Sequence, residues 1–352
     1  MIKFFRKIRQ GLLTENKFSK YLIYAIGEIV LVVIGILIAL NLNTKKEIKT
    51  DNAHVERILT NVYEDLEKDL INTINFQIKL YERKDSLSDK VLSKTLKVSD
   101  YSSDKNRKNL YSTLIEGQVE PYRFETNAYQ RLIDNIEIVP EKYIHLVEII
   151  QNVYGDEAIV TNDVLKEEKV FLEQIQNRYQ NNYDWYSETE ENHYNDKVNY
   201  LLHSKQHFND IRRSQKITKH LLEHLNVLKQ KASYAYNLIH YSLSLDAQKS
   251  SKITNIELST FEELEAYTGN YKNETDGNEL QISRNKYMLI FGERGIIYKV
   301  GKDKFKFINS INVSLEFIRN TNEEVISILI FIEENNLASR DSLRTIKLTK
   351  LK

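Results

Sequence analysis

The hydrophobic positions of this chain follow three patterns in succession. Residues 21–42, YLIYAIGEIVLVVIGILIALNL, form an almost unbroken apolar run. From residue 43 to about 250, apolar residues recur every three or four positions, as in amphipathic helices. Residues 262–352 instead show short β-rich runs separated by turn signals. These patterns predict a mainly α protein with an N-terminal transmembrane helix, an antiparallel helical bundle and a small C-terminal antiparallel β meander or barrel.

The apolar run has the length of a membrane-spanning helix. Residues 21–42 rise about 33 Å in a helix, and the hydrocarbon core of a bilayer is about 30 Å thick. A cleavable signal peptide is the alternative. Its apolar core spans only about 7–15 residues and precedes a small-residue cleavage site, which the sequence ALNLN at the end of this run does not provide. We therefore predict an uncleaved anchor in the lipid bilayer.

The charges on either side of the run indicate its orientation. Residues 1–20 are rich in Lys and Arg and contain one acid, Glu15, whereas the lysines just after the run are partly offset by Glu47 and Asp51. This asymmetry favours a cytoplasmic N-terminus. We predict a single-pass protein of the bacterial inner membrane, with the chain after residue 42 exported to the periplasm. Residues 1–20 then lie on the anionic membrane face or form a flexible basic tail.

Glu28 is the charged residue inside the apolar run. An ionisable group at this depth is costly and is therefore a functional hypothesis. At about 100° per residue, Glu28 shares a helix face with Ala25, Gly35 and Ala39, and small residues on one face let two helices approach closely. We predict an interface through which the anchor meets a second copy or another membrane protein. Snorkelling of Glu28 towards the headgroups and a proton relay are the alternatives.

The composition narrows the classes of function. Lys plus Arg and Asp plus Glu each number 50, so the net charge is zero, whereas nucleic-acid binding requires a basic field. The lack of cysteine excludes disulfides, thiol nucleophiles and cysteine metal ligands. We therefore predict no nucleic-acid partner and no cofactor.

The apolar period predicts long helices in residues 43–250, the region we expect to be exported. We predict helices over Asn52–Lys84, from Pro140 to about Tyr183, and over Asp196–Leu245. The polar stretch Lys97–Asn109 is predicted to be a loop.

The first part of the chain also resembles a known family. It opens with MIKFFRKIRQGLLTENKFSKYLIYAIGEIVLVVIGILIALNLN and contains ETNAYQRLIDN and VPEKYIHLVEIIQNVYG. These segments resemble a bacterial family of single-pass membrane proteins known as domain of unknown function 6090. The resemblance covers about residues 1–245. It implies a membrane anchor and an exported helical domain, and it implies no activity.

One segment matches a catalytic motif. Residues 220–224, HLLEH, have the H-x-x-E-H order of inverted zinc proteases, in which two histidines one helical turn apart bind the metal and Glu is the base. The following residues, LNVL, continue the helix, and no third ligand is evident. We predict an amphipathic helix with no metal ligand and no catalytic residue. A zinc-dependent hydrolase that uses His220, Glu223 and His224 is the alternative.

Two other groups of side chains are considered as binding residues. His203 and His207 are four residues apart, and we interpret them as surface histidines. Aromatic residues interleaved with Asn and acids can stack on sugars or contact a protein, although they more often pack against a helix turn. The candidate aromatic patch consists of Tyr179, Tyr183, Trp185 and Tyr186.

The C-terminal pattern predicts eight short strands. We place them near 269–273, 279–283, 287–291, 295–300, 304–308, 313–318, 325–331 and 342–348. The apolar and glycine positions resemble the small lipocalin-like β domain found behind β-lactamase-type serine hydrolases. This resemblance rests on Leu264, Tyr267, Gly269, Tyr271, Leu280, Leu289 and Phe305. It implies a fold and no catalytic residue, because the hydrolase domain is lacking. A small barrel holds a ligand or is filled by its own side chains.

Together these observations predict a membrane-anchored envelope protein with a non-catalytic binding or scaffolding role. The metal-dependent hydrolase remains one alternative. The other is a membrane-anchored sensor in which the β module is the receptor. The sequence divides into a basic segment (1–20), the transmembrane helix (21–42), the exported helical domain (43–250) and the β domain (262–352).

Overall fold

A computed structural model describes residues 18–102, 110, 114–115, 119, 121–187, 194–246, 248–256, 258–285, 287–293, 295–334 and 342–351. The Cα positions form two compact units. The first comprises Met1–Arg57 and Asn135–Pro140, and the second Ile58–Asp134 and Glu141–Lys352.

The first unit contains the apolar run, and the run is helical. It belongs to a helix that extends over Phe18–Lys68. This helix has a mean hydropathy of 2.3 in its most apolar window, none of which is buried, and it is long and apolar enough to cross a membrane. Large aliphatic side chains from Ile26 to Leu42 are exposed along it. A surface of this kind is stable in lipid and unfavourable in water.

The predicted helices are present with two corrections. The segment from Pro140 to Tyr183 is helical, and Asn52–Lys84 is helical apart from one wider turn. The helix predicted over Asp196–Leu245 is instead broken at Ser204, which has an extended conformation and caps the next helix by accepting a hydrogen bond from the His207 N–H. The loop predicted over Lys97–Asn109 begins with a short helix, and its residues 103–109 lie outside the described residues. The helices are α1 (Phe18–Lys68), α2 (Asn75–Leu92), α3 (Val98–Ser102), α4 (Asn127–Asp134), α5 (Glu141–Gln151), α6 (Ala158–Asn182), α7 (Asp184–Ser187), α8 (Tyr194–His203), α9 (Lys205–Ser242) and α10 (Phe261–Glu265), with π-helical turns over Asp69–Ile74 and Asn152–Glu157 and a 3-10 turn over Ile136–Ile138.

Helix α9 lies at the centre of the helical region of the second unit. It packs against α2, α5, α6 and both π-helical turns. Its C-terminal part, from Ala232 to Ile239, is buried at every position. A helix that is buried on all sides must be a core element, and α9 therefore organises the elements around it.

The C-terminal segment is a closed antiparallel barrel. Its eight strands, as far as the structure describes residues 258–351, pair in chain order, and the last strand pairs with the first. The prediction of eight short strands is confirmed, with small differences at the ends. The strands are β1 (Gly269–Asn273), β2 (Glu279–Arg284), β3 (Leu289–Phe291), β4 (Gly295–Gly301), β5 (Lys304–Phe307), β6 (Val313–Arg319), β7 (Val325–Glu334) and β8 (Ser342–Lys350).

The interior of the barrel is filled by its own side chains. Alternate strand positions point inwards, and at these positions apolar and aromatic residues form one buried cluster. Phe305 and Phe317 lie at its centre with their rings 5.1 Å apart. Helix α10 contributes Leu264 to the same cluster, and Thr260 caps this helix. The barrel thus has a packed core among the residues that the structure describes.

Candidate ligand cleft

A cleft of about 600 Å³ lies between α9 and the outer surface of the barrel. This volume is in the range of small-molecule sites, about 300–1,000 Å³. Helix α9 forms one wall, the connecting segment (residues 243–260, described except for 247 and 257) forms the second, and β4 and β5 form the third. The lining residues are Asn226, Lys229, Gln230, Ser233, Thr254, Asn255, Ile256, Tyr298, Lys299, Val300, Gly301, Lys306 and Ile311.

Gln230 holds the barrel wall of the cleft against α9. Its side-chain amide donates to the backbone oxygens of Phe307 at 2.5 Å, Ile308 at 3.0 Å and Ser310 at 3.4 Å. One turn further along α9, the buried ring of Tyr234 packs 5.4 Å from the ring of Tyr298 on β4. These contacts align the outer face of β4 and β5 with the helix.

The connecting segment is held on α9 by polar side chains. Asn237 donates its side-chain N–H to the backbone oxygen of Thr254 at 3.0 Å. Lys249 donates to the side-chain oxygens of Asn237, at 3.0 Å, and Asn255. The hydroxyl of Tyr236 accepts the Ser250 N–H at 3.2 Å. Because these bonds fix the path of the chain, the polar groups of residues 254 and 255 have defined positions at the cleft.

The charged residues of the cleft are all basic. Lys229 comes from α9, and Lys299 and Lys306 come from β4 and β5. Lys306 lies directly opposite Tyr298 in the antiparallel ladder, so that both residues belong to the strand face that packs on α9. Among the described residues that line the cleft there is no Asp or Glu. The chain has no net charge, but the cleft has a positive one.

Ser233 adds an unsatisfied hydroxyl to the cleft wall. The residue is 3% exposed, and its Oγ has no hydrogen-bond partner among the described residues. Buried hydroxyl groups are normally paired, because an unpaired one loses its hydration without compensation. This Oγ also has almost no accessible surface, so it is not exposed to a ligand in the cleft.

The HLLEH segment forms only part of the arrangement that the alternative of a zinc hydrolase requires. Nε2 of His220 lies 3.2 Å from Nε2 of His224, and Nδ1 of His224 donates to Glu157 at 2.7 Å. Lys231 binds the other Glu157 oxygen at 2.8 Å. Glu223 is exposed on α9 and takes no part in these contacts. In the described part of the chain, no group of three or more His, Asp or Glu residues has an arrangement that could hold a metal ion.

The pair His203 and His207 is corrected by the structure. Because Ser204 ends α8 and begins α9, the two residues do not lie on one continuous helix. His207 is 3% exposed rather than on the surface, and burial lowers its pKa to about 4. The capping capacity of Ser204 is a sequence signal that could have predicted this break.

The aromatic patch is mainly a packing cluster. Tyr179 and Trp185 are buried, with their rings 5.2 Å apart. Tyr183 and Tyr186 are half-buried, and the ring of Tyr183 packs 4.7 Å from that of Tyr200 on α8. A shallower pocket of about 560 Å³ borders Tyr183 and Trp185. Two of the four predicted residues thus fill the core, and two remain accessible.

The predicted membrane-helix stripe lies on α1. Gly35 and Ala39 are exposed, and a Cβ added at Gly35 would meet no atom within 4 Å. Glu28 is half-buried. The backbone of Ala25 is helical, and its side chain lies outside the described set. Gly35 and Ala39 are therefore open to a neighbouring helix, and the role of the four residues as an interface stays a prediction.

Comparisons with known proteins give no match to a family model, a curated protein or a solved structure. The resemblances to the single-pass family and to the lipocalin-like domain therefore stay predictions. The cleft residues were not predicted from the sequence, because Lys229, Ser233 and Lys306 have no motif and lie up to 77 residues apart. Only the packing of α9 on the barrel brings such distant positions together.

Proposed function

We propose that this chain is a membrane-anchored envelope protein that binds a small molecule in the cleft without transforming it. The cleft itself carries the proposal. It combines a ligand-sized volume with basic, amide and hydroxyl groups on a wall of Tyr298, Ile256 and Val300. Such a mixture of a mainly apolar surface and a few polar groups is typical of small-molecule sites.

The proposed location of the protein is the inner membrane. In this proposal residues 21–42 cross the inner membrane, the N-terminus is cytoplasmic, and residues 43–352 lie in the periplasm. The helical region is an exported antiparallel bundle that presents the barrel to the envelope. The long apolar and exposed stretch of α1 supports this arrangement, together with the excess of Lys and Arg before it.

The anchor also offers a contact for a second copy or another membrane protein. The stripe of Ala25, Glu28, Gly35 and Ala39 would form this contact, because small residues allow close helix packing and a protonated carboxyl donates a hydrogen bond in lipid. Gly35→Leu should reduce cross-linking between copies in membranes, while Leu37→Ile on the same helix should not.

A catalytic role has less support. In a zinc hydrolase Glu223 would have to reach a metal-bound water between His220 and His224, but it lies outside their contacts. A sensor with the β module as receptor remains compatible with the cleft, because β4 and β5 form one of its walls.

A blocked cleft tests the binding role. Val300 is 50% exposed at the cleft and Ile326 is 42% exposed on β7, outside it, so Val300→Trp and Ile326→Trp are a matched pair. Small molecules from bacterial osmotic-shock fluid should raise the melting temperature of the wild type and of Ile326→Trp. They should not raise that of Val300→Trp. An equal rise in both variants, or no rise in the wild type, would contradict binding in the cleft.

A further inference from the structure

We propose that the ligand of the cleft carries a phosphate monoester on an apolar or aromatic body. This inference rests on the proposed function, because it names the ligand class for the same cleft. Its support comes from the charge of the cleft, from the hydrogen-bond donors at the cleft and from the apolar part of the wall.

The charges favour a doubly charged anion over a neutral ligand. Lys229 and Lys306 approach the cleft from opposite walls, one on α9 and one on the strand face that packs on α9. Lys299 borders it from β4. A phosphate monoester carries about −1.5 to −2 charges at pH 7, so that it neutralises about two of the three lysines, while a carboxylate neutralises only one. Burial raises the pKa of Tyr298 to about 12, so that its hydroxyl adds no negative charge.

The hydroxyl and amide groups provide hydrogen bonds that a phosphate can accept. Thr254 and Asn226 lie at the cleft together with the three lysines. The three phosphate oxygens can accept hydrogen bonds from several such donors at once.

The remaining wall accommodates the body of the ligand. Ile256 and Tyr298 are buried, and Val300 and Ile311 extend the apolar surface towards the opening. A cleft of about 600 Å³ is much larger than a phosphate ion alone. We therefore expect an ester with an apolar or aromatic group to bind more tightly than inorganic phosphate.

Titration calorimetry on the full chain in detergent tests which ligand charge the cleft prefers. The probes are phenyl phosphate, inorganic phosphate and benzoate. Phenyl phosphate should bind most tightly and should lose affinity as the salt concentration rises. Lys306→Gln should weaken its binding about fivefold. Lys272→Gln is the matched control, since Lys272 is exposed on β1 and outside the cleft, and it should leave binding unchanged.

The phosphate could belong to a soluble metabolite or to a lipid headgroup. Vesicles of phosphatidylcholine with and without phosphatidic acid distinguish the two sources. If phosphatidic acid vesicles compete with phenyl phosphate and the phosphatidylcholine vesicles do not, the ester is a lipid. If neither competes while phenyl phosphate binds, the ester is soluble. Either result agrees with the proposed ligand class.

Other outcomes would contradict the proposed ligand class. The ligand class is wrong if phenyl phosphate binds no more tightly than benzoate, or if Lys272→Gln and Lys306→Gln weaken it equally. The osmotic-shock experiment with Val300→Trp remains informative in each of these cases, because it detects a ligand of any chemistry. A wild-type shift there, with no phosphate binding, would keep the proposed function and reject only the phosphate.

Discussion

The helical region and the barrel bury polar groups in opposite ways. Among the helices, charged side chains enter the core in pairs: Lys84 on α2, 5% exposed, binds Glu168 on α6, which is fully buried. In the barrel, the core cluster is apolar or aromatic, and its polar atoms are tyrosine hydroxyls. Ion pairs of the described barrel residues, such as Arg319 with Asp303, lie at partly exposed positions.

Geometry explains the contrast. A strand alternates between two faces, so every second position can be polar without entering the barrel. A central helix such as α9 has neighbours on several sides, and its polar residues cannot all reach water. Its buried charged residues therefore have partners, as Lys231 has Glu157. The comparison suggests that the barrel is held mainly by apolar packing and the helical region also by specific ion pairs.

The largest expected effect comes from breaking a buried pair. Glu168→Ala should lower the free energy of unfolding by roughly 3–5 kcal/mol, because it leaves the ammonium of Lys84 buried and uncompensated. It also removes the acceptor of the Tyr81 hydroxyl, 2.6 Å away. Urea unfolding of the full chain in detergent, followed by circular dichroism, measures the change.

Two controls sharpen this test. Asp163→Ala breaks an exposed ion pair with Lys166 on the same helix and should change the free energy by less than about 1 kcal/mol. Replacing the whole buried group, with Tyr81→Phe, Lys84→Met and Glu168→Leu together, should lose less than Glu168→Ala alone. If the triple variant is the less stable of the two, the ion pair itself is a net source of stability.

A second effect of about 3 kcal/mol concerns two buried titratable groups in the helical region. Burial raises the pKa of Asp69 from 3.8 to about 6, although the Glu125 N–H and the Tyr154 hydroxyl bind its carboxylate. Burial lowers the pKa of His207 from 6.5 to about 4. Each shift of about two units corresponds to about 3 kcal/mol of pH-dependent stability.

The two groups act in opposite directions. Between about pH 4 and 6 folded Asp69 keeps a proton that the unfolded chain has lost, so its contribution falls as the pH rises. Over about pH 4 to 6.5 the unfolded chain binds a proton at His207 that the folded state lacks, so this contribution rises with pH. Asp69→Asn should therefore make stability rise with pH by about 3 kcal/mol more than in the wild type, and His207→Gln should do the reverse. The measurement is the free energy of unfolding of the three proteins at pH 4, 5 and 6.5. If it changes with pH by the same amount in all three, both pKa shifts are contradicted.

The smallest effect is expected in the barrel core. Phe305→Leu keeps an apolar side chain among Tyr267 and Phe317 and should lower the free energy of unfolding by no more than about 1.5 kcal/mol. The same unfolding measurement applies. A loss as large as that of Glu168→Ala would show that the barrel depends on particular ring contacts as strongly as the helices depend on their ion pairs.

The sequence by itself determined the features that repeat along the chain. Residues 21–42 could be recognised as a helix long enough to cross a membrane, because a long apolar run depends on no distant partner. The strands from Gly269 to Lys350 could be placed closely, because alternation and turn residues are local. The helix that begins near Pro140 followed from its apolar period for the same reason.

Only the tertiary structure decided which residues meet. Ser204 divides a helix whose apolar period continues across it, so periodicity alone did not reveal the break. His224 has Glu157, not Glu223, as its carboxylate partner, because side-chain contacts depend on helix packing and not on chain order. The cleft likewise exists only where Gln230 joins α9 to the backbone of β5. A local pattern records the face that each element buries, whereas a site between elements depends on how those faces are brought together.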